Sequence, residues 1–154
     1  MTKRDRELAV ENVLKRWHRL REEVHRAEQD AAWMAFSQGS GEPVQSSSIS
    51  DKTARGGMML ESMSEKKAWI SCVEEAMSWL EDEQPELRKL LYGHYWMWNK
   101  NGYKRNHARM FADYFCMEHH ISVREYHRMR IDALDEVVFT ATERGLFNAA
   151  LNRK

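Results

Sequence analysis

Cysteine, proline and glycine are scarce in this chain of 154 residues, which contains two, two and seven of them. Two cysteines, Cys72 and Cys116, do not form a disulfide framework, so reduced thiols in a cytosolic setting are the simplest interpretation. Few prolines and glycines leave few positions that interrupt helices, which favours an all-α chain. The hydrophobic fraction of 42% allows a modest core beneath a very polar surface.

Long apolar runs are also missing. No run approaches the roughly 20 residues that a membrane-spanning helix needs. The charged residues 1–6 are followed by no apolar signal-peptide core. We therefore expect a cytoplasmic protein with no membrane partner.

The formal net charge is zero, but the charges are segregated along the chain. Residues 27–98 carry six Lys/Arg against twelve Asp/Glu, whereas residues 99–130 carry seven against three. The acidic middle is suited to a basic protein surface or to solvent. The basic segment surrounds a candidate helix-turn-helix, where cationic side chains favour contact with nucleic-acid phosphates.

Apolar spacing and composition divide the chain into three parts. Residues 1–36 predict one long N-terminal helix, from about 4 to 35, with apolar residues at threes and fours. Its apolar stripe is not a clean heptad, so we expect it to pack on the rest of the chain or on a partner, and a homodimer stays open. Residues 37–61 are rich in Ser and Gly and predict a flexible linker. Residues 62–154 predict a helical domain whose first helix begins near Ser62 or Ser64.

Within this domain, three further helices are expected. Pro85 fits the first position of a helix that runs to about Trp98. A turn at 99–102 leads to a helix over about 104–118. After His119 and His120, the last helix starts at Ser122, where Ser122 and Glu125 have the spacing of a capping box.

The last predicted helix has two different faces. Its apolar face has residues at helical spacing: Tyr126, Met129, Ala133, Leu134 and Val137. Its first turns carry Arg124, His127 and Arg128 on the other side. A capped helix start beside cationic side chains suits the DNA major groove. The plainer interpretation is a core helix with a solvated basic face.

The aromatic cluster Tyr92, Tyr95, Trp96 and Trp98 is expected in the core. The alternatives are a stacking platform for single-stranded nucleic acid or an anchor for a protein partner. Burial of Trp96 and Trp98 under the N-terminal helix would favour DNA binding, and their exposure would favour a partner surface.

Neither a metal site nor an active site is expected. The spacing of Cys116, His119 and His120 lacks the paired arms of a structural zinc site. No nucleophile is accompanied by a base and an orienting acid. We therefore predict no enzymatic activity, no metal and no cofactor.

Residues 83–138 resemble region four of bacterial sigma factors. Gln84-Pro85-Glu86-Leu87-Arg88-Lys89-Leu90-Leu91-Tyr92-Gly93-His94-Tyr95-Trp96 looks like its opening helix, and Ile121-Ser122-Val123-Arg124-Glu125-Tyr126-His127-Arg128-Met129 looks like its recognition helix. With a long N-terminal helix and a polar linker ahead of this part, the chain resembles the ArpU and RinA families of phage late-gene transcription regulators. More distantly, it is similar to small Q-type phage antiterminators. Three departures lie at the turn: Cys116, His119 and His120.

The resemblance implies a bacteriophage or prophage transcription regulator in the cytoplasm of a bacterial host cell. Its helix-turn-helix, about 104–138, would bind double-stranded DNA and control late or lysis genes. The DNA-binding residues would be Val123, Arg124, His127 and Arg128 toward the bases, and Ser122, Lys104, Arg105 and Arg130 toward phosphates. The alternative is an antitermination factor or protein-interaction module that binds RNA polymerase and has no specific DNA site of its own.

Overall fold

The fold is all-α, as the composition predicts. The computed structural model describes the backbone of residues 1–38 and 48–147 and the side chains of residues 1–37 and 63–147. The helices are α1 (Lys3–Lys15), α2 (Trp17–Gln38), α3 (Ser48–Glu83), α4 (Pro85–Tyr92), α5 (Arg105–His119) and α6 (Val123–Glu143), with a π-helical segment at Gly93–Met97. These described ranges contain no strand, and no helix in them is both long enough and apolar enough to cross a membrane.

The predicted N-terminal helix is two helices. The chain leaves helical geometry at Arg16, whose N–H is shared between the carbonyls of Asn12 and Val13. Helical spacing of the apolar residues continues across Arg16, so periodicity gave no sign of the break. Trp17, directly after it, is buried and stacks on Trp96 from the other half of the chain.

The helix expected to begin near Ser62 or Ser64 begins instead at Ser48. The predicted linker is therefore helical from Ser48 onward, although it contains Gly56 and Gly57, which disfavour helix. The segment Met58–Met63 contains good helix formers. They extend the helix toward the N-terminus from the start that the sequence predicts. Residues 39–47 of the predicted linker lie outside the described residues, as do residues 148–154 of the predicted tail.

Helix α6 lies at the centre of the molecule, packed against α1, α3 and α4. Its buried side chains Ala133, Leu134, Val137 and Ala141 belong to the larger of two apolar clusters. That cluster also holds the buried stripes of α1, α2 and α3, including Cys72, whose thiol pKa burial raises to about 11. Cys72 is therefore a core residue. The predicted packing of the N-terminal helices on the rest of the chain is confirmed.

Two predicted helix starts are confirmed. Pro85 is the first residue of α4, and Ser122 is the N-cap of α6, accepting a hydrogen bond from the Glu125 N–H at 3.1 Å. The returning half of the capping box, from Glu125 to the Ser122 N–H, is not formed at this helix start. One accepted bond is enough to satisfy a free N–H in the first turn.

Candidate nucleic-acid interface

Helices α5 and α6 are joined by the three residues 120–122 and held together by a second apolar cluster. Phe111 and Phe115 of α5 and Tyr126 of α6 are buried there together with Leu90 of α4. The Phe115 and Tyr126 rings meet edge to face, with centroids 5.6 Å apart. This packing fixes the start of α6 against α5 and leaves its opposite face toward solvent.

The turn between these helices contains the one left-handed non-glycine residue in the described parts of the chain. His120 has φ 54 and ψ 45, and its N–H caps α5 by donating to the Cys116 carbonyl. Glycine is favoured in this conformation because a Cβ strains it. His120 at this position therefore costs conformational energy but does not remove the turn.

The four residues predicted to face bases are exposed on the first turns of α6. Val123 is 52% exposed, and Arg124, His127 and Arg128 are also exposed. The structure thus brings all four onto the outer face of one helix start. His127 differs from Arg124 and Arg128, however, in its charge and in its hydrogen bonding.

His127 contributes hydrogen-bonding capacity rather than charge. Arg130 Nε donates to His127 Nδ1 at 3.4 Å, which requires that nitrogen to be unprotonated. Burial and the positive charge of Arg130 lower the pKa of His127. His127 is therefore neutral at pH 7, and its Nε2–H remains a donor that could read an acceptor on a base edge.

The residues predicted to contact phosphate do not share one environment. Lys104 and Arg105 are exposed at the start of α5, and the Lys104 N–H donates to the buried Asn99 side chain at 2.9 Å. Ser122 is exposed, but its hydroxyl oxygen already serves as the N-cap acceptor. Arg130 is turned toward the interior.

Arg130 pairs with a residue 119 positions earlier in the chain. Its Nη1 donates to Glu11 Oε2 at 2.7 Å and to the Tyr95 hydroxyl at 3.0 Å. The Tyr95 hydroxyl donates in turn to the same Glu11 oxygen at 2.7 Å. The Arg130 and Glu11 side chains are only 17% and 19% exposed. Arg130 therefore joins α6 to α1 and the π-helical segment, and we leave it out of the proposed DNA-contacting surface.

The pKa values follow from this network. Burial raises the pKa of Glu11, but the Tyr95 hydrogen bond and the charges of Lys15 and Arg130 outweigh it, so the net pKa is lowered. Burial is also the first cause acting on Tyr95, whose pKa is raised. Glu11 is thus a carboxylate and Tyr95 a neutral phenol at pH 7.

A second buried polar pair lies beside this network. His94 Nδ1 and the Tyr126 hydroxyl share a hydrogen bond of 2.7 Å. Burial, reinforced by Arg130 and His127, lowers the pKa of His94 to about 3. His94 is a neutral core histidine that positions Tyr126, the residue between the exposed Arg124 and Arg128.

Two exposed cations near the start of α5 were not among the DNA-binding residues predicted from the sequence. Lys100 and Arg109 are exposed, like Lys104 and Arg105, and no carboxylate of the described residues pairs with any of these four. A signal was present, because no Asp or Glu occurs from Leu87 to Ala112. Cations in the middle of such an interval have no neutralising neighbours along the chain, whereas Arg88 at its start pairs with Glu81 outside it.

Trp96 and Trp98, whose burial or exposure distinguishes DNA binding from partner binding, differ in exposure. Trp96 is buried under the N-terminal helices, where it stacks on Trp17 with centroids 4.8 Å apart and donates from Nε1 to the Leu14 carbonyl at 3.0 Å. Trp98 is 40% exposed and meets Phe111 edge to face. By the criterion above, Trp96 favours DNA binding, whereas Trp98 leaves room for a partner.

Helix α5 carries an exposed apolar stripe. Met110, Tyr114 and Met117, at positions i, i+4 and i+7, are 60%, 48% and 71% exposed. Phe111 and Phe115 of the same helix are buried. Exposed apolar residues in a row mark surfaces that contact other molecules.

No group of three or more His, Cys, Asp or Glu side chains is placed to hold a metal ion among residues 1–37 and 63–147. Comparison with known proteins finds no family model, no curated protein and no solved structure that matches this chain. The likeness of residues 83–138 to sigma factor region four therefore stays a prediction made from the sequence.

Proposed function

We propose that this protein is a phage or prophage transcription regulator that binds double-stranded DNA with α5 and α6. The start of α6 enters the major groove, where Arg124 and Arg128 read guanine edges and His127 supplies a neutral donor. Lys104 and Arg105 at the start of α5 contact phosphates. The family resemblance adds the class of target, the late or lysis genes of a phage.

One observation carries this proposal: the distribution of unpaired cations. Many lysines and arginines elsewhere lie in ion pairs, as do Lys3, Arg26, Lys66 and Arg144. Of the described lysines and arginines between residues 99 and 130, only Arg130 is in an ion pair. Cations that no carboxylate neutralises attract phosphates over the distance of a Debye length, about 8 Å at physiological salt.

The length of α5 separates the two cationic groups. Helix α5 has 15 residues, so its start and end lie roughly 22 Å apart. Lys104 and Arg105 lie at one end, and α6 begins at the other. In this arrangement the α5 start approaches the backbone while the α6 start faces a groove.

The test begins with selection of binding sites from a pool of random duplexes, because the operator is not defined by the chain. Affinity for the selected duplex and for a random duplex is then measured at two salt concentrations. Arg124→Ala/Arg128→Ala should weaken binding to the selected duplex by roughly 1–3 kcal/mol per arginine, with a smaller loss on random DNA. The matched control is Arg19→Ala/Arg26→Ala, which removes two exposed charges from α2 and should leave specificity unchanged.

An equal loss on selected and random DNA would refute base reading by these arginines. Failure to enrich any sequence, with binding that disappears as salt rises, would reduce the interface to nonspecific phosphate contact. Lys104→Ala should behave differently from the α6 variants. It should weaken binding to every duplex alike and lower the salt slope by about 0.9.

A second candidate function rests on the exposed stripe of α5. A protein-interaction module that binds RNA polymerase would place Met110, Tyr114 and Met117 against an apolar groove of the enzyme, as helix faces with this spacing do. The stripe lies on α5 and is distinct from the cations of the α6 start.

Purified bacterial RNA polymerase immobilised on a sensor surface tests this second function directly. Tyr114→Lys/Met117→Lys should abolish binding, and Arg124→Ala/Arg128→Ala should leave it unchanged. Binding that is insensitive to the α5 changes would exclude the stripe as the contact.

A further inference from the structure

A cleft lies between the end of the π-helical segment and the first half of α5. It encloses about 590 Å³ and is lined by the turn over 97–102 and by Lys104, His107 and Met110. Ligand pockets have volumes of about 300–1,000 Å³. The cleft is therefore large enough for one planar ring and a group attached to it.

The chemistry of the lining combines an aromatic ring with two cations. Trp98 is 40% exposed, and its edge-to-face contact with the buried Phe111, at 5.8 Å between centroids, fixes the indole ring. Lys100 and Lys104 line the same cleft, and neither has a carboxylate partner in the described parts of the chain. An aromatic face stacks on a base, and ammonium groups attract phosphate.

Hydrogen bonds to the backbone fix the turn that lines the cleft. The Asn99 side chain, 2% exposed, donates to the Tyr95 carbonyl at 3.3 Å and accepts from the Lys104 N–H at 2.9 Å. The Gly102 N–H donates to the Asn99 carbonyl at 3.0 Å. A turn that is fixed in this way loses little conformational freedom when a ligand binds.

We infer that this cleft binds a nucleotide, with the base stacked on Trp98 and the phosphate between Lys100 and Lys104. The nucleotide is either a free nucleoside monophosphate or one unpaired residue of a single strand, since both present a base and a phosphate. The inference goes beyond duplex binding. The cleft shares Lys104 with the proposed phosphate contacts, but the base-reading arginines lie at the start of α6 and do not line it.

The probe is ethenoadenosine monophosphate, whose fluorescence anisotropy rises when it binds. Thymidine monophosphate should displace it, while thymidine alone and inorganic phosphate alone should compete much more weakly. Displacement by oligothymidylate at concentrations well below those of the mononucleotide assigns the site to a single strand, and equal concentrations per nucleotide assign it to the free ligand. Inorganic phosphate that competes as well as the mononucleotide would overturn the proposal.

Three variants test the residues. Trp98→Ala should weaken probe binding roughly five- to a hundredfold, the range that loss of one stacked base gives, and Trp98→Phe should retain most of it. Lys100→Ala/Lys104→Ala, at two exposed positions that leave folding intact, should weaken binding and flatten its salt dependence. Unchanged binding in the lysine variant, or no saturable binding of the probe up to millimolar protein, would overturn the proposal even where Trp98→Ala fails to fold.

Arg124→Ala/Arg128→Ala connects the two proposals. It should leave probe binding unchanged while duplex binding falls. If the native protein binds the nucleotide probe but not duplex DNA, the proposal of duplex binding has failed. If it binds duplex DNA but not the probe, the proposal of nucleotide binding has failed.

Discussion

Replacing Arg130 by methionine distinguishes a structural cation from a DNA-contacting one. Methionine keeps much of the length and apolar area of the stem but loses the guanidinium. In the native chain that group bonds Glu11 Oε2 at 2.7 Å and Tyr95 at 3.0 Å. The variant leaves Glu11 with less charge compensation in a site where its side chain is 19% exposed.

The magnitude follows from what remains around Glu11. Removing one partner of a fully buried pair costs about 3–5 kcal/mol. Here Lys15 stays 3.3 Å from Glu11, and Tyr95 still donates to it at 2.7 Å, so the loss is smaller. We expect Arg130→Met to lower the free energy of unfolding by about 2–3 kcal/mol, a fall in Tm of roughly 5–10 °C for a domain of this size.

Urea denaturation followed by circular dichroism measures this loss, and Arg128→Met is the matched control. Arg128 is the exposed neighbour on the same helix, so its replacement should weaken DNA binding and leave stability within about 0.5 kcal/mol. Glu11→Gln/Arg130→Met should be more stable than Arg130→Met alone, because the half-buried negative charge that Arg130 compensates is gone. An Arg130→Met protein of native stability that has lost DNA affinity would refute the structural assignment and restore Arg130 as a phosphate contact.

The same network gives a pH dependence with a defined sign. The pKa of Glu11 is lowered in the folded protein, so its stabilisation is present above the ordinary carboxylate range and is lost as pH falls through the lowered value. The stability difference between native protein and Arg130→Met should therefore be largest near neutrality and shrink in acid. A difference that is constant across this range would contradict a charged Glu11 as the partner.

Three other perturbations test the packing around the interface. Gly93→Ala should destabilise by at least about 1–3 kcal/mol, because a Cβ there would lie 1.9 Å from the buried Phe111 ring; thermal unfolding checks this, and a native Tm would contradict the close approach. His120→Gly should raise stability by about 0.5–1 kcal/mol by relieving the left-handed strain, and a loss in urea denaturation would show that the His120 side chain stabilises the turn. Glu7→Gln should raise Tm by a few degrees at pH 7 and by less near pH 4, because burial and the Asp135 carboxylate raise the pKa of Glu7 and the folded state is therefore penalised as pH rises through the carboxylate range. An equal gain at both pH values would remove ionisation of Glu7 as the cause.

Local chemistry made several helix boundaries predictable. Pro85 begins α4 because its ring fixes a helical φ and its missing N–H is not needed in the first turn. Ser122 begins α6 because its hydroxyl accepts a free backbone N–H. These causes act within three or four residues, so the sequence contains them in full.

The apolar side of α6 was predictable for a related reason. Tyr126, Ala133, Leu134 and Val137 recur at helical spacing, and all four are buried. The exposed Arg124 and Arg128 follow from the same periodicity, since the face opposite a buried stripe meets solvent. Spacing along one helix is enough to separate a core face from an outer one.

Spacing does not show which long polar side chain bends inward. Arg128 and Arg130 are the same type of residue and lie two positions apart in the sequence. Arg130 nevertheless pairs with Glu11, which lies near the opposite end of the chain. The break at Arg16 and the burial of Trp96 on Trp17 likewise depend on contacts between distant segments. Such contacts form only when the helices assemble.

The sequence alone therefore determined the helical class, the start of α6 and the face that carries the candidate base-reading residues, because propensity, capping and periodicity are local. The tertiary structure decided which of its cations remain available to a ligand. It brought Glu11 to Arg130 and left Arg124, Arg128, Lys100 and Lys104 without a carboxylate among the described residues. Pairing between charges depends on distance in space, and distance along the chain does not determine it.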